Sequence, residues 1–381
     1  MRVVQYLSSY KFSYRSKNFN FYIFHLLVDL RQQKMSVQYT THIEQSNAHS
    51  SGIWSAKWSP RSNVVITGSL DKTIKVWDAE TGEYYRTLHG HNLGIISLDI
   101  DPMGEMIVSV SLDNTIRRWS VNDGIHLETI QVIPGDAWSC QFSPALPEVR
   151  HFATSSQKGK VDIWDISTMP SSIVQSFSSG ETKFGFCTRF SPNGKLLAFS
   201  TENDCIHLFD VESGKNIHKF KGETGCPIRT IDFTPNSSLL ISGSDDETIN
   251  IYDVRHFNRI GKCTGLDGFV MSVAAAGDNE HFVSGSTDGK VKLWNIENKQ
   301  CLSTVGTHSN QVSALSWNPD GDKFISVSED KSLKCIMINN NTIRMLYMDL
   351  VHASISTKIR LDKLQCVDIN ETFTSIYPLI N

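Results

Sequence analysis

Cysteine is sparse in this 381-residue chain, and none of its eight positions (140, 187, 205, 226, 263, 301, 335 and 366) forms a Cys-x-x-Cys pair. No histidine doublet stands at zinc-ligand spacing, so no metal is expected, and scattered free thiols fit a reducing compartment. Long apolar runs are missing too. Spanning a bilayer takes roughly 18 to 20 apolar residues, and the longest candidate, Phe19 to Leu30, is broken by Asn20, His25 and Asp29. Neither charge dominates: 36 basic against 40 acidic side chains give a formal charge of −4, which excludes a histone-like surface. What is present is a hydrophobic content of 40% with 10% aromatics, enough for a large core and too much for general disorder. Length alone suggests two or three domains.

Internal repetition replaces that estimate. Thr67-Gly-Ser-Leu-Asp-Lys-Thr-Ile-Lys-Val-Trp-Asp78 recurs as Ser109-Val-Ser-Leu-Asp-Asn-Thr-Ile-Arg-Arg-Trp-Ser120, Ser242-Gly-Ser-Asp-Asp-Glu-Thr-Ile-Asn-Ile-Tyr-Asp253 and Ser284-Gly-Ser-Thr-Asp-Gly-Lys-Val-Lys-Leu-Trp-Asn295. Weaker copies end at Trp164-Asp165 and Phe209-Asp210, and the weakest runs from Ser326 to Ile336. The aromatic or equivalent position falls at 77, 119, 164, 209, 252, 294 and 336, a period of 42 to 45 residues. Within each unit apolar residues alternate with polar ones between Asp-Lys, Asp-Gly or Pro-Asn-Gly turn signals, the pattern of short antiparallel strands. Four strands in about 40 to 45 residues make one propeller blade.

With its Trp-Asp endings the chain resembles the WD-repeat family, which implies an all-β, seven-bladed β-propeller. The seventh unit stops near Ile338 after its third strand. The missing strand is expected from Gln38-Tyr-Thr-Thr-His-Ile-Glu-Gln45, so that the last blade is closed by an N-terminal strand and no sheet edge is left open at the seam. The propeller then occupies residues 36–338. Residues 1–35 carry six basic groups against one acidic and are expected to be disordered or absent from the mature protein, Met35 being a natural alternative start. A transit peptide is the other reading of that basic, serine-containing stretch. Residues 339–381 form an extension without repeat motif and, from 340 on, balance four basic with four acidic groups. With +5 and 0 assigned to the ends, the ring itself carries −9 of the −4 total. An acidic surface repels phosphate backbones, so protein partners are expected and direct nucleic-acid binding is not, unless basic residues cluster locally.

The resemblance also assigns roles. Asp71, Asp113, Asp246, Asp288 and Asp330, each six residues before the aromatic position, belong in the turn between second and third strands. His49, His91 and His308 take the matching loop position, and with a Ser or Thr and the tryptophan they look like the family's structural tetrad. A catalytic Ser/His/Asp triad occurs once and exposes its nucleophile, whereas this set repeats around the ring, so the structural reading prevails. Trp58, Trp77, Trp119, Trp164, Trp294 and Trp317 are expected in the core.

The innermost strands follow an apolar-x-x-apolar-x-aromatic pattern, as in Ile53-Trp-Ser-Ala-Lys-Trp58 and Ala137-Trp-Ser-Cys-Gln-Phe142. Their first, fourth and sixth residues should pack between blades. In the family the second residue faces the mouth of the central channel; here it is Trp54, Ile96, Trp138, Phe186, Arg229, Met271 and Ser313. Two residues earlier lie Gly52, Gly94, Asp136, Phe184, Pro227, Phe269 and Gln311. The expected arc runs from the third to the sixth blade through Trp138, Phe184, Phe186, Phe269 and Met271, with Arg229 inside it, and aromatics, Met and Arg are residue types enriched at binding hot spots; Trp54 and Asp136 complete the expected partner-binding set.

Ala48-His-x-x-x-Ile-Trp54, Gly90-His-x-Leu-Gly94, Asp136-Ala-Trp138, Pro227-Ile-Arg229, Ser244-Asp-Asp246, Ile251-Tyr-Asp-Val254 and His281-Phe-Val-Ser284 narrow the resemblance. They are similar to the WD-repeat subunits shared by the superkiller messenger-RNA decay complex and the polymerase-associated factor complex. That likeness implies a non-catalytic scaffold without cofactor, monomeric within a hetero-complex, cytoplasmic and nuclear. Its partners would be a tetratricopeptide-repeat subunit of the superkiller complex and subunits of the polymerase-associated factor complex. A substrate receptor of a ubiquitin-ligase assembly is the alternative. An enzyme is the third class, and no paired carboxylates or metal-ligand cluster favour it.

Overall fold

Alternation of apolar and polar residues is realised as strands throughout the computed structural model, which describes residues 38–144 and 150–339. The extensions expected over 1–35 and 339–381 lie outside the described residues, apart from Asn339, whose backbone ends the last strand. Twenty-eight strands, β1 to β28 in chain order, form seven four-stranded antiparallel sheets, with no helix among the described residues. The innermost strands are β2 (Ile53–Trp58), β6 (Ile95–Ile100), β10 (Cys140–Phe142), β14 (Gly185–Phe190), β18 (Ile228–Phe233), β22 (Val270–Ala275) and β26 (Val312–Trp317). Each touches the next, and β26 touches β2, so the protein is a closed seven-bladed β-propeller.

The segment from Gln38 to Gln45 is β1, and it pairs antiparallel with β28 (Leu333–Asn339), from Gln38 opposite Asn339 to Gln45 opposite Leu333. Blade 7 is therefore ordered β1-β28-β27-β26, with β27 spanning Lys323–Ser328. Polar contacts reinforce the seam: Lys334 Nζ lies 2.9 Å from Glu44 Oε1, and Gln45 Nε2 donates to the Gly82 carbonyl of blade 1 at 3.2 Å.

Hydrophobic clusters bridge neighbouring sheets. Ile66, Ile74 and Val76 of blade 1 pack with Ile95, Leu98, Ile107 and Trp119 of blade 2, all buried. The glycine of the Gly-Ser motif makes this approach possible. A Cβ on Gly68 would lie 2.7 Å from Ile95 Cγ2, and one on Gly243 or Gly285 would meet Val270 or Val312 of the next inner strand at 2.4 or 2.5 Å. Trp58, Trp77, Trp119, Trp164 and Trp294 are buried, as the sequence led us to expect. Trp317 departs from that expectation: it is half-buried, and its indole N–H donates to the Ala274 carbonyl at 3.0 Å.

Side chains on the inner strands also tie blade to blade. Ser55, Ser97, Thr230 and Ser272 hydroxyls each accept the amide of Leu98, Cys140, Val273 or Leu315 on the following strand, at 3.0 to 3.2 Å. One step further along, Asp99, Gln141 and Asp232 accept from Phe142, Phe190 and Ala275 at 2.6 to 2.9 Å. Amides without a ladder partner are thus satisfied by the neighbouring blade.

Candidate functional site

Two constellations could carry function: the repeated His/Asp/hydroxyl set and the face on which the loops into the inner strands meet the second-to-third-strand turns. In blade 1, Trp77 Nε1 donates to Thr67 Oγ1 at 2.9 Å, and that hydroxyl lies 2.7 Å from His49 Nε2. His49 Nδ1 stands 2.9 Å from Asp71 Oδ2, and Asp71 accepts further bonds from Ser50 and Thr73. Blade 2 repeats the set with Trp119, Ser109, His91 and Asp113. Blade 7 has Ser326, His308 and Asp330 but Ile336 in place of the indole.

Burial raises the Asp113 and Asp330 carboxyls, yet hydrogen bonds from Thr115 and the Asn92 amide, and from Ser332 and the Ser309 amide, outweigh it and hold both at about 2. For Asp71, burial is likewise overcome by His49 and Thr73, and the carboxyl falls well below the usual range. Desolvation lowers His91 and His308 despite their carboxylate partners. The Thr67, Ser109 and Ser326 hydroxyls that face the histidines are buried and already engaged, which gives fixed turns rather than exposed nucleophiles.

The other blades vary the scheme. Asp246 accepts from Thr224 and Thr248, and Asp288 from Ser286 and the Lys290 amide. Trp164 and Trp294 still donate to Thr154 and Ser284 at 3.0 and 2.8 Å. Blade 4 substitutes Glu181 for the histidine, and its carboxylate accepts from Asn203 and Lys219.

On the loop face one backbone hydrogen bond recurs in all seven blades. The amides of Leu70, Leu112, Gln157, Glu202, Asp245, Thr287 and Glu329 donate to the carbonyls of Gly52, Gly94, Gly135, Phe184, Pro227, Phe269 and Gln311 at 2.8 to 3.2 Å. Beside it, in six blades, the inner strand is bulged: register shifts between Ile53 and Ser55, Ile95 and Ser97, Gly185 and Cys187, Ile228 and Thr230, Val270 and Ser272, and Val312 and Ala314. The skipped residues are Trp54, Ile96, Phe186, Arg229, Met271 and Ser313. A bulge frees the extra residue from the ladder and re-aims its side chain. This is why first, fourth and sixth residues can share one side of the strand while the second escapes it.

Part of the expected arc is continuous. The Trp138 and Phe184 rings meet edge-to-face at 5.0 Å between centroids, and Phe184 and Phe186 are tilted at 4.9 Å. The Arg229 guanidinium lies 5.0 Å from the Phe186 centroid, and its Nε and Nη2 donate to the two oxygens of Asp245 at 2.5 and 2.8 Å. Blades 3, 4 and 5 are joined in this way by one aromatic-to-guanidinium run. Asp136 flanks it, 3.2 Å from Lys158 Nζ. Phe269 is exposed and Met271 half-buried, and no ring or charge contact ties either to Arg229 among the described residues. Trp54 stands apart from the run, its indole N–H donating to Glu329 Oε1 of blade 7 at 2.9 Å.

Sequence reasoning missed Asp245 and Glu329, the acceptors that orient Arg229 and Trp54. Both occupy the position before the turn aspartate, and that was the signal available. It also missed exposed Leu93, Leu112 and Ile133, on loops and turns of blades 2 and 3, which continue the apolar character of this face. Among the described residues no group of three His, Cys, Asp or Glu side chains is arranged to hold a metal ion, and seven cysteines are free, Cys140 pushed up to about 12 by burial.

Comparison with known proteins finds repeat matches along most of the ring. The family model "WD domain, G-beta repeat" matches residues 40–78, 82–120, 214–253, 258–295 and 299–336, and "Anaphase-promoting complex subunit 4 WD40 domain" matches 153–225. WD repeat-containing protein VIP3 of Arabidopsis thaliana is 32% identical over 201 residues, 49% of this chain and 62% of that protein. Nuclear distribution protein PAC1 of Coccidioides posadasii is 24% identical over 309 residues, 76% of this chain and 57% of its own length. Transcriptional corepressor LEUNIG_HOMOLOG of Arabidopsis thaliana is 26% identical over 287 residues, 75% of this chain and 30% of that one. The chain thus spans less than two thirds of each of these relatives.

Proposed function

The chain belongs to the WD-repeat family, and from that premise we propose that it is a non-catalytic protein-interaction scaffold whose binding surface is the loop face of blades 3 to 5. The observation that carries this reading is the run Trp138–Phe184–Phe186–Arg229–Asp245. Three half-buried aromatic rings and a guanidinium are pre-positioned by mutual contacts, so little side-chain entropy remains to be lost on binding. A short partner segment with aromatic, aliphatic and basic side chains suits this surface: its apolar groups pack on the rings, and its cations find carboxylates at Asp136 and Glu202.

The finer reading rests on the loop-face motifs. We take the protein as a subunit shared by the superkiller complex, acting in exosome-linked messenger-RNA decay, and the polymerase-associated factor complex, acting in transcription elongation and histone modification. It would hold a tetratricopeptide-repeat subunit in the first complex and act in both cytoplasm and nucleus. Affinity purification of the full chain from native cytosolic and nuclear extracts, followed by partner identification, tests this. Recovery of the tetratricopeptide subunit from cytosol and of elongation-factor subunits from nuclei is the expected result. Cullin adaptors in place of both would transfer the scaffold to a ubiquitin-ligase assembly.

A further inference from the structure

On the outer rim an aromatic residue occupies a left-handed backbone conformation. The turn between third and fourth strands places Gly82, Gly124 and Gly214 at φ of 74°, 73° and 70° in blades 1, 2 and 4 and Lys299 at 60° in blade 6, while blade 5 has Phe257 there at 54°. An aromatic residue is disfavoured in the left-handed region. Core burial does not offset this, because 40% of Phe257 remains exposed. Outliers of this kind, held against local preference, point towards function.

The ring has one partner in the adjacent blade. Phe257 stacks on His218 with centroids 4.8 Å apart and planes 17° from parallel. His218 sits on β17 (Asn216–Lys221), the outer strand of blade 4, and meets Phe220 edge-to-face at 4.5 Å; Phe220 in turn contacts Tyr252 at 4.7 Å. An aromatic column therefore runs from the rim into the core between blades 4 and 5. Desolvation lowers His218, which favours a neutral, stackable imidazole.

Cations cluster along the same two strands. Residues 212–221 hold Lys215, Lys219 and Lys221 against Glu212, and residues 255–263, which include β21 (Asn258–Cys263), hold Arg255, Arg259 and Lys262 with no acid. Lys219 is engaged by Glu181, and Arg259 by Glu223 at 2.6 Å. Lys215, Arg255 and Lys262 are exposed and in no ion pair among the described residues, while Lys221 alternates with Phe220 to the far face of β17. Strands of this length extend for about 20 Å at ~3.4 Å per residue. Charges at both ends and a ring pair near one end form a basic track with a stacking platform.

We propose that the rim between blades 4 and 5 binds single-stranded nucleic acid, a base stacking on the Phe257–His218 pair and phosphates following Lys215, Arg255 and Lys262. Aromatic platforms beside a cationic track are the general solution for single strands, because every base has a π-face. The acidic total charge of the ring disfavours nucleic acid as an average, and this cluster is the local exception. An acidic peptide would use the same cations but leaves the strained, exposed ring without a purpose.

Fluorescence anisotropy of a labelled oligouridylate with the full chain, across a salt series, tests the proposal. Phe257→Gly suits the left-handed turn, so its melting should match or exceed the wild type while affinity falls roughly tenfold through lost stacking. Lys215→Glu with Arg255→Glu should weaken binding and flatten the salt dependence. Trp138→Ala should bind RNA as the wild type does, which separates this site from the loop face. Absence of RNA binding by the wild type would overturn the proposal, as would equal binding by Phe257→Gly. Polyglutamate binding as tightly as the RNA would overturn it in favour of an acidic protein partner.

Discussion

Arg229 is held twice, by its stack on Phe186 at 5.0 Å and by a two-pronged hydrogen bond to Asp245. The carboxylate fixes the plane of the guanidinium and the ring supports its face. An arginine so restrained belongs to a surface that is finished before any partner arrives.

Removing the carboxylate alone should therefore disturb binding more than folding. Asp245→Asn keeps the shape but gives up the charge-assisted pair. Because the arginine is partly exposed, the expected loss of stability is small, about 1 kcal/mol or less. Partner affinity should fall by roughly tenfold as Arg229 loses its orientation. Calorimetric melting and titration with the partner, run on the same variant, measure the two effects side by side.

Gly185 separates Phe184 from Phe186 and touches buried Phe199. A Cβ added there would come within 2.0 Å of Phe199 Cε2, and the nearest backbone, at Ser156, leaves little room to retreat. Gly185→Ala should cost about 1 to 3 kcal/mol by overpacking and should also displace the two flanking rings. Denaturant unfolding reads the first effect, and weakened partner binding reads the second.

Ring closure has its own test. β1 covers the open edge of β28, so deletion of residues 38–45 should lower the melting temperature and produce concentration-dependent association through that edge. Light scattering across a dilution series checks this, and a truncated chain that melts as the full one would refute closure by β1.

Acid should loosen the blades in two stages. His91 and His308 are lowered from an ordinary value near 6.5, and burial takes His207 to about 4. A histidine lowered by folding contributes stability above its unfolded pKa, and that contribution is lost as pH falls towards the folded value. Asp113 and Asp330, held at about 2, contribute above the ordinary carboxyl value and lose this as pH drops from there towards 2. Stability should decline from just below pH 6.5 and again below about pH 4. In His207→Gln the first decline should be smaller, as chemical denaturation at stepped pH would show.

Much of this molecule is legible in its sequence, for a physical reason. A blade is a local unit, so the Trp and Asp positions repeat with the period of the fold, and the strand from Gln38 to Gln45 follows once the seventh unit is seen to lack a fourth strand. The bulges are another matter. They insert one residue into one strand without changing the repeat length, and no residue type marks them: Trp54, Ile96 and Arg229 all take the place. The acceptor Glu329 was equally hidden, since its bond to Trp54 joins residues 275 positions apart in the chain. Phe269 and Met271 satisfy the pattern of the arc, yet their contact with it depends on blade-to-blade geometry that a pattern does not contain.

The central claim is that Trp138 and Phe186 bind a partner and do not hold up the fold. Trp119 is the internal control: it is buried and bonded to Ser109, and Trp119→Ala should lose about 3 to 5 kcal/mol. The decisive measurement is the affinity of the tetratricopeptide-repeat subunit for Trp138→Ala and for Phe186→Glu, each paired with its far-UV spectrum and melting curve. Both variants should lose detectable binding while folding and melting as the wild type. Wild-type affinity in both would contradict the claim, and so would loss of binding that tracks loss of fold.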